Sequence, residues 1–265
     1  MEHNLLSIKN NFKNMLDILK ILFCIPFLIY SCYSDIKTRR VSNNVWLVML
    51  TGGAFFVLYD IWYNGLSYLQ HLFISAGFIF VFVYLLFQFG TFGGADAKLL
   101  IVLSIIIPSY PVIHAFGYVF PLNEPLIDLF ALGIFGNAVL MTIVVPIGLA
   151  FYNITRLGLT IDNPLYIFIG YKSKISNLAG KHVKMIQNYE VIDGEVRFHF
   201  RRGGLEIDDK TILELKSLAD KGLIKDEIWV TPGLPFMIPI TTGFFVAIVY
   251  GDLIFELTKY IILNY

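Results

Sequence analysis

Apolar residues in this chain do not alternate with polar ones; they run on. Nearly uninterrupted apolar stretches lie near residues 18–34, 44–63, 69–89, 97–119, 127–154 and 235–258. A bilayer core of about 30 Å is crossed by about 20 mostly apolar helical residues. Lipid offers no partner to a bare backbone amide or carbonyl, so spanning segments must be helical or buried in protein. The pattern therefore predicts an all-α polytopic membrane bundle of six transmembrane helices. Pro26, Pro108, Pro111 and Pro146 fall inside or beside these runs and are expected to kink them. The first run, with Lys20 before it and Ser31-Cys32 near its end, also suits a removable leader or a lipoprotein site. Tyr30 stands where such a site needs a small residue, and equally apolar runs follow, so we read it as the first span.

One stretch breaks the pattern. Residues 157–230 are polar and predict a small soluble α+β insert between helices 5 and 6. The chain accordingly divides into 1–156 (helices 1–5), 157–230 (insert) and 231–265 (helix 6). Within the insert, the segments 183–186 and 196–200 flank the turn signal Asp193-Gly194 and read as a hairpin. Asp208 or Asp209 is placed to cap a helix through Leu218, ended by Gly222.

Composition agrees with a lipid-facing surface: 57% of residues are hydrophobic and 15% are charged, where a soluble domain has about a quarter charged. Net charge is zero and gives no reason to expect nucleic acid. The two cysteines, Cys24 and Cys32, have neither a disulfide framework nor metal-site spacing. Of the 20 lysines and arginines, 16 lie in the segments after spans 1, 3 and 5. In the short loops alone, Lys37, Arg39, Arg40 and Lys98 face none on the opposite side. Cytoplasmic loops carry the cations, so both termini are expected outside, with the insert in the cytoplasm. Trp46 and Trp229 on one side, with Trp62 and Tyr63 on the other, suit interfacial aromatic belts.

Carboxylates near a membrane are costly and each asks for a function. Asp35 ends span 1 in Tyr33-Ser34-Asp35-Ile36-Lys37, and Asp96 opens span 4 in Gly93-Gly94-Ala95-Asp96-Ala97-Lys98. Singly, Asp35 would be an interfacial charge and Asp96 a helix N-cap. Together, six alternating spans put both at the same membrane face. Two neighbouring carboxylates cannot both ionise cheaply, so one keeps a proton while the other acts as base on water. That is peptide hydrolysis without metal or cofactor, with Asp35 and Asp96 as the catalytic pair. Gly93, Gly94 and Ala95 would let backbone approach a bound peptide and give the loop hinge freedom. Lys98 either tunes Asp96 or snorkels to the phosphate level.

Asp35 with downstream Arg40-Val41-Ser42-Asn43, and the Gly93–Lys98 segment, resemble the type IV prepilin peptidase family of GxGD membrane aspartic proteases. Six spans, an insert before the last, and Pro235-Phe236-Met237-Ile238-Pro239 opening that last span are similar to its archaeal preflagellin peptidase branch. Ala95 stands where the strict signature has glycine. The resemblance implies removal of the short basic leader from flagellin or pilin-like precursors, those with class III-type leader peptides, at the cytoplasmic membrane face. It implies the lipid bilayer as surroundings, and no cofactor. Asp35 and Asp96 fall on the family's catalytic pair.

Rival readings are weaker. Asp252 and Glu256 form an i, i+4 pair, but at 1.5 Å per residue they lie near the far end of span 6, and with Asp60, Glu124 and Asp128 they read as outer-edge charges. His71 and His114 read as buried, hydrogen-bonded side chains. Gly52, Gly53, Gly77, Gly133 and Gly136 read as close-packing sites. A proton- or cation-coupled transporter would need acids at mid-membrane and repeated broken helices. A non-catalytic assembly subunit leaves the two aspartates unexplained.

Overall fold

The computed structural model describes residues 2–90, 92–158, 163–192, 195–233 and 235–263. In chain order the elements are α1 (Glu2–Thr38), α2 (Asn43–Gln88), α3 (Gly94–Ile106), β1 (Ile113–Ala115), β2 (Tyr118–Phe120), α4 (Phe130–Thr142), α5 (Val144–Leu157), α6 (Tyr166–Ile169), β3 (Tyr171–Lys174), β4 (Val183–Ile192), β5 (Glu195–Glu206), α7 (Asp209–Asp220), β6 (Glu227–Pro232), α8 (Met237–Val249) and α9 (Leu253–Leu263). Two compact units result: residues 1–142 with 235–265, and residues 143–234.

The first unit is helical, and among the described residues three stretches are long and apolar enough to cross a membrane: Phe12–Thr38, Asn43–Gln88 and Phe130–Leu157. A fourth arises if α8 and α9, bent by 65° at their junction, count as one. Among the described residues the six apolar runs thus do not stand as six separate spanning helices, and the reasons are local. The second and third apolar runs join in α2, interrupted only at Gly65, whose φ of 66° and ψ of −144° are non-helical. Both arms of α2 pack on α3. Asn43 accepts from the Lys98 ammonium at 2.7 Å, and a Cβ on Gly53 would meet the Ile106 side chain at 2.5 Å. On the second arm the Ser75 hydroxyl donates to the Pro108 carbonyl at 3.0 Å, and Phe87 lies against Gly94. Both ends of α2 therefore meet the start of α3, so the chain doubles back at Gly65.

The fourth run is not one helix. Pro108 and Pro111 do not kink α3; they follow its end at Ile106, and the chain returns as the hairpin Ile113↔Phe120. Proline lacks the N–H a helix needs and pushes its predecessor to extended backbone. The last run breaks at Gly251, where φ is 107°. Asn137 bridges that break: its amide donates to Gly251 O at 2.9 Å and its carbonyl accepts from Leu253 N at 2.9 Å.

The core of this unit is formed by Leu28, Met49, Ile79, Leu99, Leu103, Phe130, Ile134 and Phe244, all essentially inaccessible. α4 and α8 cross closely because Gly243 has no Cβ to strike Ile134 O at 2.5 Å. Gly52, Gly53, Gly133 and Gly136 each face a neighbour in contact, whereas Gly77 faces open space and is not a packing site. Three charge and belt expectations need correction. Asp60 is not an edge charge: it is 5% exposed and ion-paired with the buried Lys20, which also lies 3.6 Å from buried Asp17. Trp46 and Trp229 are buried in the two protein cores rather than set in a belt. His114 is exposed on β1, while His71 reaches Asp128 O at 3.0 Å.

The second unit carries an antiparallel sheet of order β3-β6-β4-β5. β4 and β5 pair from Lys184↔Glu206 to Ile192↔Glu195, with a register shift between Met185 and Gln187. The Asp193-Gly194 turn lies outside the described residues. α7 covers one face through Ile212 and Leu215, which join Ile175, Leu178, Met185, Ile228 and Val230. Asp208 is its N-cap, accepting from Thr211 N at 2.7 Å, and Gly222 follows its end with φ 71°. That exchange satisfies amides the first turn leaves unpaired.

Candidate active site

Asp35 lies in the last turn of α1, and Asp96 in the first turn of α3. Each is half-buried. The structure brings them to one end of the helical unit, near enough that the charge on Asp35 acts on Asp96. α8 begins at the same place: the backbone N–H of Met237 donates to Asp35 Oδ2 at 3.3 Å. Met237 is the first residue of α8, so this amide has no partner inside its own helix and carries the positive end of the helix dipole. A carboxylate fills that position well. Next to Gly93 and Met237 in sequence, Phe92 meets Phe236 edge to face at 5.3 Å and Phe135 at 5.7 Å.

Asp96 is held differently. It is not the N-cap of α3; Gly93 is, with extended φ −75° and ψ 145° and no side-chain cap. Asp96 stands three residues on and reaches back, so that the Gly93 N–H donates to its carboxyl group. This is the reciprocal half of a capping box. It also gives Gly93 a physical reason: a Cβ there would lie 2.6 Å from Asp96 Oδ2. Neither Gly93 nor Gly94 adopts a backbone conformation reserved for glycine, so close approach rather than hinge freedom accounts for Gly93.

The two carboxyl groups thus sit in unequal surroundings: Asp35 accepts from the N-terminal amide of α8, whereas Asp96 faces back onto Gly93, the N-cap of its own helix. Unequal surroundings of this kind separate an acid from a base.

Of the other anticipated residues, Ala95 packs against the helical core. Lys98 is exposed and bonds Asn43 at 2.7 Å, tying α3 to α2 rather than touching Asp96. The rival carboxylates do structural work: Asp252 accepts from Phe255 N at 3.2 Å, Glu256 pairs with Lys259 at 3.5 Å, and Asp128 accepts from Tyr110 N at 2.7 Å. Sequence reasoning missed Cys32, Met237 and Thr241. One signal was present, since Cys32 and Asp35 are three apart on a helix and share a face. Contact with residues about 200 positions away leaves no local trace.

Residues 22–147, which include both aspartates, match the type IV leader peptidase family, and residues 162–253 match the archaeal peptidase A24 C-terminus, type II. A preflagellin peptidase of Methanocaldococcus jannaschii is 30% identical over 249 residues, covering 88% of this chain and 93% of that protein. Preflagellin peptidases of Methanococcus maripaludis and Methanococcus voltae are 26% and 28% identical, covering 86% and 87% of this chain and 94% of each relative.

Proposed function

Because this chain belongs to the type IV leader peptidase family, we propose that it is a membrane aspartic endopeptidase that removes the basic leader from preflagellin or pilin-like precursors, using Asp35 and Asp96. The observation that carries this reading is the convergence of two carboxylates in unequal surroundings at one end of the helical unit. One carboxylate takes a proton from water as the water oxygen bonds to the scissile carbonyl carbon. The other, protonated, donates to the carbonyl oxygen. Collapse of the resulting diol breaks the C–N bond, returns the second proton to its donor and passes the first to the leaving amine, so each carboxyl ends as it began.

The doubling of α2 at Gly65 supports two crossings by that element, since residues 43–64 and 66–88 are each long enough for about 30 Å of hydrocarbon. With the broken pair α8–α9 as one crossing, and α3 with its hairpin as a shorter one, six passages result. The short-loop cations Lys37, Arg39, Arg40 and Lys98 support a cytoplasmic face for the aspartates, where a leader peptide arrives before its apolar helix enters the bilayer. Class III-type leaders, basic and short, suit that face.

The test is product identity. Mass spectrometry of a leader-bearing precursor co-expressed with the wild type should show the mature N-terminus. With Asp35→Asn or Asp96→Asn the intact precursor should remain. Mature product accumulating with either variant overturns the assignment.

A further inference from the structure

Asp35 is the better anchored of the two aspartates, and the anchor runs through a thiol. The Cys32 S–H donates to the Met237 carbonyl at 3.3 Å, and its Sγ lies 3.0 Å from the Thr241 hydroxyl. Thr241 is four residues beyond Met237, one turn along α8. The donors order consistently: Thr241 O–H to Cys32 sulfur, Cys32 S–H to Met237 O, and Met237 N–H to Asp35 Oδ2. Each group is used once, and three contacts fasten the first turn of α8 to the last turns of α1. Cys24 is fully buried in the same helix and takes no part.

The consequence is positional. Among the described residues, Met237 N–H is the α8 group that reaches Asp35, and it reaches at 3.3 Å, so a small outward shift of α8 breaks the contact. A helix N-terminus stabilises a negative charge only within its first turn. Asp96 is held differently, against Gly93, the N-cap residue of its own helix.

We propose that Cys32 is a positioning residue which, with Thr241, pins the first turn of α8 so that Met237 N–H holds the Asp35 carboxyl group in place for its partner Asp96. This rests on the leader-peptidase reading above. A cysteine that merely packs would tolerate apolar replacement. A cysteine acting through Met237 and Asp35 would lower turnover when replaced by an apolar residue and recover it with serine.

The experiment measures precursor cleavage in membranes carrying the full chain for Cys32→Ala, Cys32→Ser, Thr241→Val and the Cys32→Ala/Thr241→Val pair. Cys32→Ala is expected to lower kcat about fivefold to tenfold with KM unchanged. Cys32→Ser, whose hydroxyl can make the same two bonds, should recover kcat to within about twofold. Thr241→Val keeps the volume and should lower kcat with KM unchanged in the same way, with the pair no worse than Cys32→Ala alone. A rise in KM in place of the fall in kcat overturns the proposal, as does a serine variant as impaired as alanine. Asp35→Asn and Asp96→Asn are run beside them. If either still cleaves, the leader-peptidase reading has failed; if both are inactive while the Cys32 and Thr241 variants match the wild type, only the clamp has.

Discussion

At the scale of single residues, Gly93 shows why a glycine can sit beside a carboxylate without any turn requiring it. Its φ and ψ suit any residue; what it lacks is the Cβ that Asp96 would strike. Gly93→Ala should therefore displace the Asp96 carboxyl and lower kcat for precursor cleavage roughly tenfold to a hundredfold, the usual penalty for a misplaced reacting group. Thermal stability should fall by no more than about 2–4 °C, because alanine is a poorer N-cap than glycine by about 0.5–1 kcal/mol. Kinetics alongside a thermal melt checks both halves; full activity with lost stability would remove the role assigned to Gly93. The sequence made Asp35 and Asp96 legible, because acids are rare in apolar stretches. It could not reveal that Asp60, another such acid, is neutralised by Lys20, since the two stand 40 residues apart and meet only when α1 and α2 pack.

Elements were legible in proportion to how local their causes are. The α7 cap at Asp208, its stop at Gly222 and the β4–β5 hairpin all follow from residues within a few positions. The apolar runs were legible as runs, but their ends were not. Pro108 and Pro111 read as kinks, but the extended backbone that Pro108 imposes on Ile107 ends α3 there instead. The Asp17–Lys20–Asp60 cluster joins α1 to α2 inside the protein and gives a prediction at this scale. Lys20→Met should destabilise the helical unit by about 3–5 kcal/mol, because removing one partner leaves a buried carboxylate uncompensated. Adding Asp60→Leu should recover much of the loss. Detergent unfolding of both variants checks it, and a Lys20→Met protein as stable as the wild type would contradict the buried pairing.

For the whole molecule, the helical unit and the sheet-bearing unit each have their own core, and both match members of one peptidase family. The chemistry proposed for the first unit depends on chain segments from three places, α1, α3 and α8, delivered to one end of it. The most direct test is a kinetic cycle on Asp35→Asn, Asp96→Asn and the double variant. If the carboxylates act as a unit, each single change should cost roughly a thousandfold or more in cleavage rate, and the double no more than the worse single. Either single variant retaining a tenth of wild-type rate, or a double variant slowed by the product of the two losses, would contradict it.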